Sequence, residues 1–333
     1  MEELPIASIP NTPNWSENFA VAGFDPEAGL ELFLHIGRWR RDLNLWREVV
    51  AIALPDGSVL VHRGIGNARS TSRGPGGTNF QLEVIDADRA AMELRYHGSA
   101  RRVSEEELFE HNLEEGPHYR LVFNLSYVGV APKWDISKVG HKTAFMGAGH
   151  IEQIGRLTGF IEVGNEHFNY DTLVNRDHSR GPRVFDSNIR HSWLQGYLSD
   201  GLMFQLYEAE VTGKVGPAYS EANVVDHGVA HSATVTIRDK LPFNDNRGLI
   251  RTPVRIRFDY SDKTFEVTAT EFVRTISLQS TSPNDMYLGR RQVGDVQNTT
   301  VVEQGVRYRT DDGREGYGHM ERLVPGKLLV DPA

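Results

Sequence analysis

The sequence predicts an all-β protein with only minor helix, and three observations carry that prediction. Apolar and polar residues alternate at period two in segment after segment, the mark of half-buried strands. Those segments are rich in β-branched and aromatic residues and are separated by turn formers. About sixteen strand candidates recur at the spacing of sandwiches and barrels. The chain has 333 residues, long for one β-barrel and comfortable for two domains of roughly 150 each.

In chain order, Val49–Leu54 turns at Pro55-Asp56-Gly57 into Ser58–His62, a hairpin signal. Arg73 to Gly77 reads as a long loop between two strands. Ser104 and Glu107 form a capping box for a short helix over Glu105–Glu114, with Leu108 on its apolar side. Tyr119, Leu121, Phe123, Leu125 and Tyr127 share one face of the next strand. Pro132 to Gly149 is the least strand-like stretch near mid-chain. It divides an N-terminal domain, 1–147, from a C-terminal domain, 148–333. Phe160 to Val174 is extended and ends in Asn175-Arg176-Asp177-His178-Ser179-Arg180-Gly181-Pro182-Arg183, where Gly181-Pro182 breaks the strand. Asp200-Gly201 joins Trp193–Leu198 to Leu202–Tyr207. Ala233, Val235 and Ile237 alternate with polar residues, as do the residues of Val254–Tyr260 and, after Ser261-Asp262-Lys263, Phe265, Val267 and Ala269. Asp312-Gly313 turns Val306–Arg309 into a last strand.

Composition removes several classes of function. There is no cysteine, hence no disulfide, thiolate metal site or cysteine nucleophile. Proton chemistry by His, Asp, Glu and Tyr is the natural repertoire. The formal net charge is −9, against the basic surface of a nucleic-acid binder. No apolar run approaches the ~18 residues of a membrane span. Met1-Glu2-Glu3-Leu4-Pro5 lacks the features of a signal peptide, and the expected location is cytoplasmic. Association into a homo-oligomer is compatible with the sequence.

The densest polar cluster is Asn175 to Arg183. On a regular strand Asp177 and Ser179 face one way, and Arg176, His178 and Arg180 face the other. Asp177 and His178 therefore share a pocket only if the backbone is bulged there. The plainer interpretation is an ion-pair network tying Asp177 to Arg176 or Arg183 at a barrel rim. His150 and Glu152 fall on one strand face. His227 and His231 have the spacing of helical zinc ligands, but Gly228 and the β-branched surroundings deny them a helix. Four strand residues span roughly 13 Å, too far for one ion, so no metal is expected. Arg38 to Arg41 and Trp46-Arg47 read as an amphipathic strand with a solvated face. No phosphate loop, Gly-x-Ser-x-Gly elbow or dinucleotide fingerprint is present.

His150-Ile151-Glu152-Gln153, Gly159-Phe160-Ile161-Glu162-Val163, Arg176 to Arg183 and the hairpin Trp193–Tyr207 together resemble the carotenoid 1,2-hydratase (hydroxyneurosporene synthase) and AttH-like superfamily. Asp312 to Glu321 is similar to a C-terminal stretch of bacterial relatives. The resemblance implies two lipocalin-like (calycin-type) antiparallel β-barrel domains in tandem. It also implies a catalytic aspartate–histidine pair, matched by Asp177 and His178, and a tyrosine followed by an acid, matched by Tyr207 and Glu208. Where the superfamily has an aromatic two residues after the histidine, this chain has Arg180. Trp193, Tyr197 and Phe185 are candidate pocket aromatics, with Arg180, His150 and Glu152 as further substrate contacts. Hydrating an alkene needs a strong acid in a dry pocket and aromatic faces for the resulting cation. The expectation is a cofactor-independent hydratase or dehydratase, or an isomerase or cyclase. Its partner would be a small hydrophobic molecule of terpenoid or isoprenoid type. The alternative is a non-catalytic lipocalin-type carrier. Glycoside hydrolysis by Glu152 and Asp177 is weaker, since nothing sets their separation.

Overall fold

The computed structural model describes residues 3–67, 73–110, 117–138, 148–183, 189–211, 219–237, 252–280, 286–288 and 299–325. The strands are β1 Trp15–Asp25, β2 Leu30–Trp39, β3 Asp42–Ala53, β4 Ser58–Gly66, β5 Phe80–Asp86, β6 Ala91–Ser104, β7 His118–Gly129, β8 Trp134–Asp135, β9 Gly149–Val163 and β10 Glu166–Pro182, with helix α1 at Glu105–Glu110. A second set follows: β11 Ile189–Leu198, β12 Met203–Val211, β13 Tyr219–Asp226, β14 Val229–Ile237, β15 Val254–Tyr260, β16 Lys263–Ser280, β17 Met286–Leu288, β18 Thr299–Thr310 and β19 Glu315–Pro325.

Each set closes on itself as an eight-stranded antiparallel barrel. In the first, the order β1-β2-β3-β4-β6-β7-β9-β10 returns to β1, with β5 and β8 as side strands. In the second, β11-β12-β13-β14-β15-β16-β18-β19 returns to β11, and β17 is added outside β16. The all-β, two-barrel expectation holds. So do the tight turns: Gly57, Gly201 and Gly313 have φ of +87°, +86° and +87°, a region glycine enters without strain. The capping box is present, with Ser104 Oγ accepting from the Glu107 amide and Glu107 Oε2 from that of Ser104. Residues 111–114 of the expected helix lie outside the described residues.

One boundary differs from the sequence division at 147/148. Strands β9 and β10 pair with β7 and β1, so the two sheets divide between Pro182 and Ile189. The Pro132–Gly149 stretch interrupts a barrel that still needs two strands for closure. Arg38 and Arg47 also depart from the expected solvated face. Arg38 is buried against the Trp46 ring and bonds Glu17, and Arg47 is fully buried.

Alternation assigns each strand's two faces. Inward residues such as Phe19, Phe80, Tyr96, Phe123, Tyr127 and Tyr170 fill the first barrel. Phe204, Phe258, Phe265 and Tyr308 fill the second. Outward residues of β1 to β4 and of β11 to β13, β16, β18 and β19 form a third apolar cluster between the barrels. Ala22, Ala51 and Ala53 lie in it; side chains this small let the barrels approach closely.

Residues near the N-terminus close one end of the first barrel. Glu3, 4% exposed, makes a two-pronged pair with the buried Arg176 at 2.8 Å per bond. Lys133 reaches the same carboxylate at 2.7 Å. Ile6 donates to Glu17 and accepts from Arg38. Removing one partner of a buried pair leaves the other charge uncompensated. Glu3→Ala is expected to cost about 3 kcal/mol in urea unfolding, and Lys133→Ala, at the partly exposed partner, under about 1 kcal/mol.

Candidate active site

The barrel ladders set matching rows of polar side chains against each other across the seam. On the first barrel, His35, Ala20, Asp177 and Glu152 are consecutive cross-strand neighbours on β2, β1, β10 and β9. On the second, Glu303, Glu321, Trp193 and Tyr207 are consecutive on β18, β19, β11 and β12. All are outward residues of their own barrel, yet buried or nearly so.

His150, Glu152 and Asp177 come together on the first row. His150 Nε2 is 2.7 Å from Glu152 Oε1 and 3.4 Å from Asp177 Oδ1. Arg183 Nη2 lies 3.4 Å from His150 Nδ1. A guanidinium can only donate, so Nδ1 accepts and the proton on Nε2 goes to Glu152. This is the neutral imidazole, in keeping with burial pushing His150 down to about 4. Glu152 Oε2 accepts from Asn175 at 2.6 Å, Asn175 Oδ1 from Gln205 at 2.8 Å, and Gln205 Oε1 from Asn223 at 3.2 Å. The trio is thus tied by amides to the second barrel. Burial, reinforced by the Glu152 charge, pushes Asp177 up to about 6 against the pull of His150 and Arg183. Glu152 is raised well above the carboxylate range by burial, Asn175 notwithstanding. Asp177 keeps 17% of its side chain accessible and is the most open of the three.

Donor atoms of this trio lie within 4.8 Å of one another, close enough to gather around a cation. His150 and Glu152 are already hydrogen-bonded, whereas Asp177 Oδ1 is buried without a hydrogen-bond partner. A metal on His150 Nε2 would displace the bond to Glu152 and move the shared proton to Nδ1, against Arg183.

Opposite stands a second set. Tyr207 Oη is 3.3 Å from His191 Nδ1, and His191 Nε2 pairs with Glu321 Oε1. Burial opposes charge on Glu321, but the hydrogen bond of His191, with a further pull whenever that imidazole is protonated, holds the carboxyl below its ordinary value. Burial raises the Tyr207 phenol, with Arg183 opposing, so it stays protonated. The rings of Tyr207 and His150 are 6.0 Å apart, and Trp193 and Tyr219 pack in the same cluster.

The structure separates several residues that the sequence placed together. The β9–β10 register runs without a shift from Glu166↔Val163 to Arg180↔Gly149, so no bulge brings Asp177 and His178 to one face. His178 points into the first barrel, fully buried. It stacks on Phe19 at 3.8 Å and lies 3.4 Å from Glu17. Arg180 shares that face, opposite Glu17 on β1, and is half-buried. Glu208 alternates away from Tyr207 and takes a bond from Ser220 at 3.3 Å. Trp193 lies on the seam, 5.8 Å from the His319 ring. Tyr197 is also buried there, in a separate cluster with Ile154 and Val225. Phe185 lies outside the described residues.

The profile of a domain of unknown function, DUF7064, matches residues 7–325. The chain belongs to the DUF7064 family. Three solved structures show the same architecture. A candidate AttH (NE1406) from Nitrosomonas europaea is 14% identical with a TM-score of 0.58, covering 98% of this chain and 99% of that one. CghA is 10% identical at 0.55, covering 97% and 96%. Kievitone hydratase from Nectria haematococca is 11% identical at 0.52, covering 95% and 90%. At such identities the likeness is one of fold. It agrees with the AttH-like part of the resemblance. No curated protein sequence is similar enough to count as a relative. Among the described residues no helix is long and apolar enough to cross a membrane.

His191, Gln205 and Glu31 have no part in the sequence reading, and Asn175 and Glu321 enter it only as ends of longer stretches, without a role. The available signal was the outward face of β11: His191, Trp193, Gln195 and Tyr197 are too large and aromatic for an ordinary solvated face. Glu31, deep in the seam on β2, is pushed up to about 7 by burial, with His319 opposing and Glu303 adding to the rise. A carboxyl whose folded pKa exceeds its unfolded value binds more protons when folded, so its contribution to stability falls as pH rises from about 4.5 to about 7. Glu31→Gln is expected to flatten that slope, narrowing the decline by about 3 kcal/mol, as read by denaturant unfolding across the pH range.

Proposed function

We propose that the chain is an acid–base enzyme acting on a small molecule held in the seam between its barrels. It would add or remove water, or isomerise or cyclise its substrate. The observation that carries this reading is the facing of two unlike proton sets. Asp177, a carboxyl holding its proton to about pH 6, sits on one barrel. Tyr207, backed by His191 and Glu321, sits on the other. Proton donors and acceptors whose environments push them apart are how one site runs acid and base steps together.

Asp177 gives its proton to the substrate carbon or oxygen that becomes electron-rich or leaves. Tyr207 takes a proton from water, or from the carbon next to the departing group, while its own O–H proton passes to His191 Nδ1. Glu321 then holds the imidazolium. No resident cofactor is needed for such steps. The apolar surround of Trp193, Tyr207 and Tyr219 suits a mostly hydrophobic skeleton of terpenoid or isoprenoid type with one oxygen function. The solved hydratase of the same fold supports the reaction class.

The test is turnover in isotopically labelled water with a panel of hydroxylated and unsaturated cyclic isoprenoids, products read by mass spectrometry. Asp177→Asn and Tyr207→Phe are expected to stay folded and lose at least about 100-fold in kcat. His178→Ala, altering a residue inside the first barrel, should act through stability instead. Equal loss of chemistry from His178→Ala in a protein of unchanged stability would return the active site to the first barrel. With Asp177 as the acid, kcat/KM should fall as pH rises through about 6, and a profile flat across that range would exclude it as donor.

A further inference from the structure

Buried titratable groups beyond the proposed catalytic sets continue the line behind Tyr207. His319 on β19 is fully buried, with Nδ1 paired to Oε1 of Glu31 from the first barrel. Its Nε2 stands 2.9 Å from Oε2 of Glu303 on β18, close but poorly angled for a hydrogen bond. Glu303, itself fully buried, lies directly opposite Glu321 across the β18–β19 ladder, neither of its oxygens takes a hydrogen bond from a side-chain donor, and the neighbouring Glu321 carboxyl joins burial in raising it. Glu321 takes Nε2 of His191. Glu31, His319, Glu303, Glu321, His191 and Tyr207 therefore form one continuous line across the seam.

The protons on this line can be assigned from its order. Two carboxyls in contact away from water cannot both be ionised, and one must be the acid. Glu321 has the His191 N–H to stabilise a charge, whereas among the described residues Glu303 has only the poorly aligned His319. The proton therefore belongs on Glu303, whose O–H donates to Glu321. His319 then presents Nε2–H toward the Glu303 carbonyl oxygen and accepts at Nδ1 from the acid form of Glu31. On the other side His191 donates from Nε2 to Glu321 and accepts at Nδ1 from Tyr207. Every proton points toward Glu321, the single anion. Burial raises Glu303 and Glu31 while Glu321 is held low, in the same sense. His35 on β2 also faces Glu321, with Arg47 and Arg183 near it.

We propose that Glu303 is a positioning residue whose carboxylic acid fixes Glu321 as the anion behind His191 and so keeps His191 Nδ1 ready for the Tyr207 proton. The inference rests on the proposed acid–base role of Tyr207. In the step it supports, the proton leaves Tyr207 Oη for His191 Nδ1, Nε2–H stays on His191, and the Glu303 proton stays in place. No other reactant is involved.

Two variants separate the acid from the alternatives. Glu303→Gln keeps an N–H donor toward Glu321 and a carbonyl toward His319. Glu303→Leu keeps bulk and removes both. In mildly alkaline buffer the infrared spectrum of the wild type minus that of either variant should show a carboxylic-acid C=O stretch, the bands of the other buried acids, such as Glu152, cancelling in the difference. Heteronuclear NMR of His191 should show the Nε2–H tautomer, with Nδ1 unprotonated, in the wild type and in Glu303→Gln. In Glu303→Leu the His191 Nε2–H resonance should move downfield, because Glu321 loses its other donor and draws that proton harder. Absence of the infrared difference band would overturn the proposal, as would loss of the Nε2–H tautomer in Glu303→Gln. An unmoved Nε2–H resonance in a folded Glu303→Leu would do the same. If Glu303→Leu does not fold, the infrared band and Glu303→Gln decide. These readouts need no substrate, so they stand or fall separately from the turnover of Tyr207→Phe.

Discussion

The structure depends on one constraint: both barrels fill their interiors with their own side chains, so what joins them must be made from their outer faces. Outer strand positions ordinarily carry polar residues for water. Here those positions are sealed against a second barrel, and a charge taken into the seam needs a partner there because water is scarce. The resulting hydrogen-bonded lines join the barrels where they cross the seam and form the candidate site beside it. The Asn175–Gln205–Asn223 run is of the first kind, and Tyr207–His191–Glu321, within the second barrel, of the second.

The two sides of the seam differ in what burial does to them. On the first barrel a neutral imidazole and reluctant carboxyls meet, and Arg183 is the neighbouring cation. On the second a carboxylate is kept charged by the histidine it holds. Their opposite tendencies arise from the partner each finds across the ladder.

Much of the fold was legible because period-two alternation and Gly-containing turns are local signals. The Asp56-Gly57, Asp200-Gly201 and Asp312-Gly313 turns appear where the sequence puts them. The boundary was not legible, because closure of a barrel is a long-range fact: nothing local at Gly149 says that Arg180 pairs with it on one side and Glu17 on the other. The same holds for the site. Alternation alone already set Asp177 and His178 on opposite faces, and the structure follows the alternation rather than the paired motif. His150 and Glu152 were legible as a same-face pair. Their neighbour Asp177, and the distant His191 and Glu321, are brought in by cross-strand register. The sequence displays no cue for it beyond an outward face too aromatic for water.

Strand order gives the seam a history within each folding event. The first barrel is closed by the pairing of Trp15 with Pro182, so it cannot shut during synthesis until more than half the chain has emerged. The second is completed by β19, inserted between β11 and β18, and Glu321 arrives with that late strand. A nascent chain thus makes two open sheets with long-range contacts still to form, the slow and association-prone kind of intermediate. Its seam of buried titratable groups comes into being only as the last ladder locks, which couples the appearance of the candidate site to the end of folding.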